Sequence, residues 1–305
     1  MAVLATSGIT LPKNIAEGMF KKAQTGSAIA ALSGAEPQQF GEVTYMTLTG
    51  RPRAELVGEG ADKSDTNATF GTKLATPHKF QVTMRFNQEV QWADEAYQLG
   101  VLTTLANEGG EALSRALDLG GFHGFNPKTG TAAASIVAGD RIATTTNSVE
   151  ITTATLTTPD IVIEQAAGLV IADGYIPNGI AFDPTYAWTI ATARYADGRK
   201  KFPELGFGQN VTSFEGLPAF ASSTVSGLPE AAADTNVKAI VGQWDAFRWG
   251  VQKNIPVELI KFGDPDGLGD LKRKNQIALR LEVVYGWAVM DLDAFATVKD
   301  AVTNV

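Results

Sequence analysis

The chain has 305 residues, 44% of them hydrophobic, which is enough for a substantial core and sets a length prior of about two domains, or one with a large excursion. A formal net charge of −8 argues against tight binding to a phosphate backbone, which clustered Lys and Arg would drive. With no cysteine, disulfides, thiolate catalysis and cysteine-bound metals are excluded, and no window approaches the roughly 20 apolar residues of a membrane-spanning helix.

Residues 1–38 are rich in Ala, Gly and Ser and show little sustained periodicity beyond one short helical stretch near Asn14–Lys22. They read as an extended arm. The start of the chain has no charged region followed by a long apolar run, which argues against a secretory signal. From Tyr45 the period becomes two. Met46, Leu48, Pro52, Ala54 and Leu56 fall on one face, and Thr47, Thr49, Arg51, Arg53 and Glu55 on the other. After the turn-rich stretch Gly58–Gly71, Leu74, Phe80, Val82, Met84 and Phe86 share a face opposite Lys73, Lys79, Gln81, Thr83 and Arg85. This pattern predicts a long hairpin over 46–85. An isolated two-stranded ribbon is marginal in water, and the tip, with Glu55, Glu59, Asp62, Lys63 and Asp65, has almost no apolar residue to hold it to its own domain. The expectation is that it lies on a neighbouring subunit, with Arg51, Arg53, Glu55, Glu59, Asp62, Lys63 and Asp65 as contact residues.

Leu102, Leu105, Ala106, Gly109, Leu113, Ala116 and Leu117 recur at helical spacing and predict a helix over 99–119, with Gly120-Gly121 as its stop. A tight turn follows over Gly121–Pro127, and 129–156 reads as loop. Thr158-Pro159 and Asp183-Pro184 each give a cap followed by a first-position proline, announcing helices that end near Gly174 and Arg194, with a strand Gly179–Phe182 between them. Strands are expected at Val237–Gly242, Phe247–Lys253, Val257–Phe262 and Asn275–Val289. In the last of these, Ile277, Leu279, Leu281 and Val283 alternate with Arg280 and Glu282. Helices and strands interleave without a repeated βαβ rhythm, so the fold class is α+β.

No recognisable catalytic signature appears. The two histidines, His78 on the apolar face of a strand and His123 in a glycine-rich turn, have no ligand spacing around them and read as structural. There is no G-x-S-x-G elbow. Lys128-Thr129 follows Pro127, where a phosphate cradle needs glycine and a backbone N–H. Asp264, Asp266, Gly267 and Asp270 resemble a calcium loop, but Leu268 stands where an oxygen ligand is required and Asn275 where a bidentate Glu is required. The basic groups Lys21-Lys22, Arg199-Lys200-Lys201 and Lys272-Arg273-Lys274 read as solvated faces or inter-subunit ion pairs. A long chain with a good core, peripheral extensions and no site is most naturally a building block.

Several segments, in order over residues 40–300, resemble the tailed-phage major capsid protein family, whose shell fold is shared with encapsulin nanocompartments. Glu55–Ala61 followed by Asn67–Gly71 resembles the family's extended-loop signature. Lys79–Glu89 resembles the strand returning to the core, Leu99–Leu119 the spine helix, and Gly121–Gly130 the glycine-rich turn after it. Leu217-Pro218 after Glu215-Gly216, Ala239–Trp244 (with Gln243 where aspartate is usual) and Val289–Lys299, with Met290–Lys299 at its heart, resemble later motifs of the family.

The resemblance implies a phage major capsid fold: an N-terminal arm (1–38), an extended loop (46–85), a peripheral domain (39–45, 86–130 and 255–285) and an axial domain (131–254 and 286–305). It implies a non-enzymatic subunit without cofactors that assembles with itself into hexamers and pentamers around double-stranded DNA. Portal, scaffolding and decoration proteins are the implied partners, the scaffold being separate or already removed, with assembly in the host cytoplasm and residence in the virion capsid. Some relatives cross-link through a loop lysine; Lys63 lies at the tip, but no partner asparagine or glutamate can be matched. An encapsulin shell, and last a carboxylate-dependent hydrolase, are the alternatives.

Overall fold

The computed structural model describes residues 26–50, 52–92, 95–152, 155, 158–206 and 211–300. The short helix expected near Asn14–Lys22, and Arg51, lie outside the described residues. In chain order the elements are α1 (Ala28–Leu32), β1 (Val43–Gly50), β2 (Thr69–Asn87), α2 (Glu95–His123), β3 (Phe125–Asn126), β4 (Thr131–Ala132), β5 (Ser148–Ile151), α3 (Pro159–Ala172), β6 (Gly179–Phe182), α4 (Pro184–Thr192), β7 (Ser213–Phe214), β8 (Leu217–Ala221), β9 (Val237–Gly242), β10 (Phe247–Ile260), β11 (Gln276–Val289) and β12 (Phe295–Asp300). The fold is α+β. One antiparallel sheet has the order β1-β2-β11-β10, and a mixed sheet has the order β5-β12-β9-β6-β8-β7.

There are two hydrophobic clusters: one lies under the four-stranded sheet and reaches the mixed sheet through Ala181, Ile240 and Phe295, and the other lies between the mixed sheet and its helices. α2 covers the four-stranded sheet, with Leu113 and Leu117 packed among Leu279, Leu281, Tyr285 and Trp287. Phe80, Val82, Met84 and Phe86 of β2 pack against the same cluster, as their alternation predicts. α3 and α4 bury Val162, Ile163, Ala166, Tyr186 and Ile190 against Ile180, Ala239, Val241 and Val298 of the second sheet. Of the two Pro-headed helices, α4 carries a side-chain cap, Asp183 Oδ1 accepting from Thr185 N at 2.9 Å. Thr158, before α3, makes no such bond.

Besides β4 and β5, which form within the 129–156 stretch expected as loop, and Pro52–Leu56, expected as strand but in neither helix nor strand, the structure departs from the sequence expectation in three places. α2 starts before residue 99 and runs past Gly120-Gly121 to His123; the chain turns only at Gly124, where φ is +70°. The two glycines are packing contacts rather than a stop. A Cβ on Gly120 would stand 2.8 Å from Trp287 Cη2, and one on Gly121 2.6 Å from Ile29 Cδ1. Secondly, β10 is one strand rather than two. Its register against β11 shifts between Val251 and Lys253 and again between Ile255 and Glu258, the kind of bulging that bends an edge strand away from unwanted partners. Thirdly, the span 46–85 contains two differently partnered parts. Thr69–Ala75 of β2 pair with β1, whereas Thr76–Asn87 pair with β11 inside the four-stranded sheet.

In an exposed helix Gly→Ala gains about 1 kcal/mol. Gly120→Ala is expected to do the opposite and lower stability by roughly 1–2 kcal/mol, because the indole of Trp287 leaves no room for the methyl group. Urea unfolding of the variant beside the parent protein measures the sign.

Candidate inter-subunit surface

The register of β1 with β2 sets what the hairpin shows to its surroundings. Leu48 lies opposite Phe70, Met46 opposite Thr72 and Thr44 opposite Leu74. Directly opposed residues of an antiparallel pair share a face, so these six side chains form one stripe. Met46 is 72% exposed, Phe70 66%, Leu48 49% and Leu74 40%. On the reverse face Val43, Tyr45, Thr47 and Lys73 are half-buried. The ribbon thus presents its apolar face outward, against the usual direction.

Residues 52–68 beyond the paired strands have neither helix nor strand and are exposed throughout. Local bonds shape this tip. Glu55 Oε2 accepts from Ser64 N at 3.1 Å and Ser64 Oγ at 2.6 Å, which holds its carboxyl below the ordinary range. Thr66 Oγ1 donates to Arg53 O at 3.1 Å, and Ala61 N to Gly58 O at 3.1 Å. Of the expected contact residues, Arg53, Glu55, Glu59, Asp62, Lys63 and Asp65 all stand on this exposed tip.

The root of the hairpin is fixed to the sheet. Gly250 and Gly286 lie opposite each other in β10 and β11 and face away from α2. A Cβ on Gly250 would overlap Glu36 O, and one on Gly286 would overlap Gln252 and Gln38. The chain leading into β1 occupies the groove that these two glycines leave. There Gln252 Nε2 donates to Gln38 Oε1 (3.1 Å) and Gly41 O (2.9 Å), while its Oε1 accepts from Gly41 N at 3.2 Å. Gln38 Nε2 donates to the Tyr45 hydroxyl (3.0 Å), which donates to Glu36 Oε2 (3.1 Å). Burial, then Glu36, pushes the Tyr45 hydroxyl up. Arg248 reaches Glu36 at 3.2 Å and lies 5.4 Å from the centre of the Tyr45 ring.

A second projection, 261–275, joins β10 to β11. Arg85 Nε donates to Asp266 Oδ2 at 2.7 Å and its Nη2 to Asp264 Oδ1 at 2.9 Å, while Arg280 Nη2 donates to Pro265 O at 2.7 Å. Its hydrogen bonds with Arg85 pull the Asp266 carboxyl down. The carboxylates that resemble a calcium loop are therefore engaged by arginine and by turn N–H groups, among them Gly269 N on Asp264 Oδ2. Phe262 and Leu268 stay exposed at the loop's crest, with Lys272 Nζ 5.6 Å from the Phe262 ring centre.

Both histidines have local partners. His78 packs against Trp287 at a tilt of 37° with ring centroids 4.3 Å apart and lies 3.0 Å from Thr76 Oγ1; burial lowers its pKa. His123 Nε2 faces Val225 O at 3.0 Å and Thr224 O at 3.3 Å, and burial depresses its pKa to about 4. Among the described residues no group of His, Asp and Glu is placed to hold a metal ion, and no helix is long and apolar enough to cross a membrane. Sequence reasoning singled out the charges of the hairpin and missed Phe70. The signal was present: the alternation of Leu74 continues back through Thr72 to Phe70.

The model of the phage capsid family matches residues 7–300. The chain belongs to the phage capsid family. A solved chain from Mycobacterium phage Ogopogo is 54% identical with a TM-score of 0.83, covering 90% of this chain and 92% of that one. One from Gordonia phage Cozz is 35% identical with a TM-score of 0.79, covering 90% and 87%. A chain from the capsid of an empty GTA particle is 16% identical with a TM-score of 0.62, covering 99% and 94%, and shares the fold. No curated protein matches. The protein is thus a capsid shell subunit, a structural protein that assembles with copies of itself in the virion capsid.

For a capsid subunit the glycine groove sets the direction in which the hairpin leaves the sheet. Gly286→Ala should displace the Gln38–Gln252 pair without disturbing the core under α2. Losing roughly 1.4 kcal/mol of hydrogen bonding raises amide exchange across residues 36–48 about tenfold. Hydrogen-exchange mass spectrometry of the unassembled subunit measures this.

Proposed function

We propose that in the assembled shell the hairpin lies on an adjacent copy of the chain with the face of Met46, Leu48, Phe70 and Leu74 turned inward. The observation that carries this reading is that exposed apolar face on a two-stranded ribbon, a form that is marginal in water by itself. Magnitudes rank the contributions. Burying a large apolar side chain contributes about 1.5–3 kcal/mol from full exposure, whereas an exposed ion pair contributes about 0–1 kcal/mol. The stripe supplies the adhesion in this reading. Arg51, Arg53, Glu55, Glu59, Asp62, Lys63 and Asp65 supply register and selectivity at the tip.

On the same reading the subunits form hexamers and pentamers that enclose double-stranded DNA without sequence-specific contact, in keeping with the net charge of −8. The chain catalyses no reaction. Portal and scaffolding proteins are its partners, with decoration proteins on the finished shell, and assembly takes place in the host cytoplasm.

Phe70→Asp, or Leu48→Asp, is expected to leave the circular dichroism spectrum of the subunit intact while abolishing shells in negative-stain electron microscopy. The paired change Arg51→Glu with Arg53→Glu should slow or misdirect assembly and leave some shells. Normal shells from Phe70→Asp would show that the stripe does not face a neighbour.

A further inference from the structure

Asp118, in the last turns of α2, is fully buried, and four donors converge on its carboxylate. Three come from the start of α1. Ser27 Oγ donates to Oδ1, Ile29 N to Oδ1 at 3.1 Å and Ala28 N to Oδ2 at 2.9 Å. Ser27 is also the N-cap of α1, its Oγ accepting from Ala30 N at 3.1 Å. The fourth donor is Thr224 Oγ1, 2.7 Å from Oδ2, in the turn Ser223–Val225 between β8 and β9. Among the described residues no Lys or Arg pairs with this carboxylate.

The turn is bound to the rest of the chain on both sides. Arg115, one turn earlier on α2, donates to Ser223 Oγ at 2.9 Å and Leu228 O at 3.0 Å. Ser226 Oγ donates to Asp183 Oδ2 at 2.6 Å, the same carboxyl group that caps α4. Ser222 N donates to Phe182 O at 2.8 Å, at the end of β6. A continuous set of hydrogen bonds thus runs from the root of the arm, through one side chain of α2, to the second sheet and its helix.

We propose that Asp118 couples the docking of the arm root, Ser27–Ser33, to the order of the loop Ser222–Glu230, so that release of either loosens the other. The reason is the chemistry of the shared acceptor. A buried carboxylate is tolerated because its lone pairs are filled. If α1 leaves, three of four donors leave with it, and the remaining carboxylate must gain water or shift, breaking its bond to Thr224. If the loop leaves, the same carboxylate opens from the other side and competes less well for the cap of α1. Coupling between binding equilibria is reciprocal, so both directions must show it. Movement of the arm in a shell would reach the second sheet by this route. The coupling itself is a property of the single subunit and does not depend on where the hairpin docks.

Native-state hydrogen exchange of the unassembled full chain at rising urea tests it. The amides of Ala31 and Ser33, bonded to Ser27 O and Ile29 O, and of Val225 and Gly227, bonded to Ser222 O and Thr224 O, report on the two segments. The expected result is one shared opening, with the same urea dependence for all four. Thr224→Val should then raise exchange at Ala31 and Ser33 about tenfold, the loss expected from one such hydrogen bond. Ser27→Ala should do the same at Val225 and Gly227, and Thr224→Ser should leave both segments protected. Separate openings in the parent chain overturn the proposal, as do variants whose effects stay within their own segment. The parent measurement decides alone if a variant does not fold.

Discussion

Strand β2 is held by two different partners along its length, and much of the molecule follows from that. Thr76–Asn87 pair with β11 under α2, whereas Thr69–Ala75 pair with β1 alone among the described strands. The hairpin is therefore a core strand that continues past the edge of its sheet. Its direction is inherited from the core, and the apolar alternation that packs against the core at Phe80, Val82 and Met84 is carried outward to Phe70, where no part of the described chain covers it. On the proposed reading such a subunit is complete only when a neighbouring copy meets that face.

The chain segment before the hairpin reinforces the same geometry. Opposed glycines at 250 and 286 open a groove on the far side of the sheet, and Gln38, Gly41 and Gln252 fill it with saturated hydrogen bonds. This explains why β11 is buried on both faces from Val283 onward, while Arg280 and Glu282 nearer the loop are only half-buried. Trp249, Tyr285 and Trp287 lie on the α2 side of that layer, so the clasp and the aromatic core stabilise the same strands from opposite faces.

Much of this was legible in the sequence where one face of an element meets one environment. Ile277, Leu279, Leu281 and Val283 alternate with polar neighbours because only α2 covers them, and the strand was read almost to its ends. Where two surfaces compete, local reading fails. Gly120-Gly121 resembles a helix stop, yet the residues that require glycine there, Trp287 and Ile29, are distant in sequence. The bulges that make β10 one bent strand are equally non-local. At the hairpin the charges were conspicuous, while Phe70 stood in a polar stretch; its weight appears only when the register places it beside Leu48. Asp118 carries no sequence signal at all, because its four donors come from segments about 90 and 106 positions away.

The absence of native cysteine makes the central claim directly measurable. The thiol introduced by Phe70→Cys can be titrated with a maleimide in the free subunit and again in the assembled shell. The account predicts rapid labelling of the free subunit and strong protection in the shell, with a thiol introduced at exposed Ile176, in the loop between α3 and β6, as the reference for sites outside the hairpin. Equal labelling at position 70 before and after assembly would contradict it.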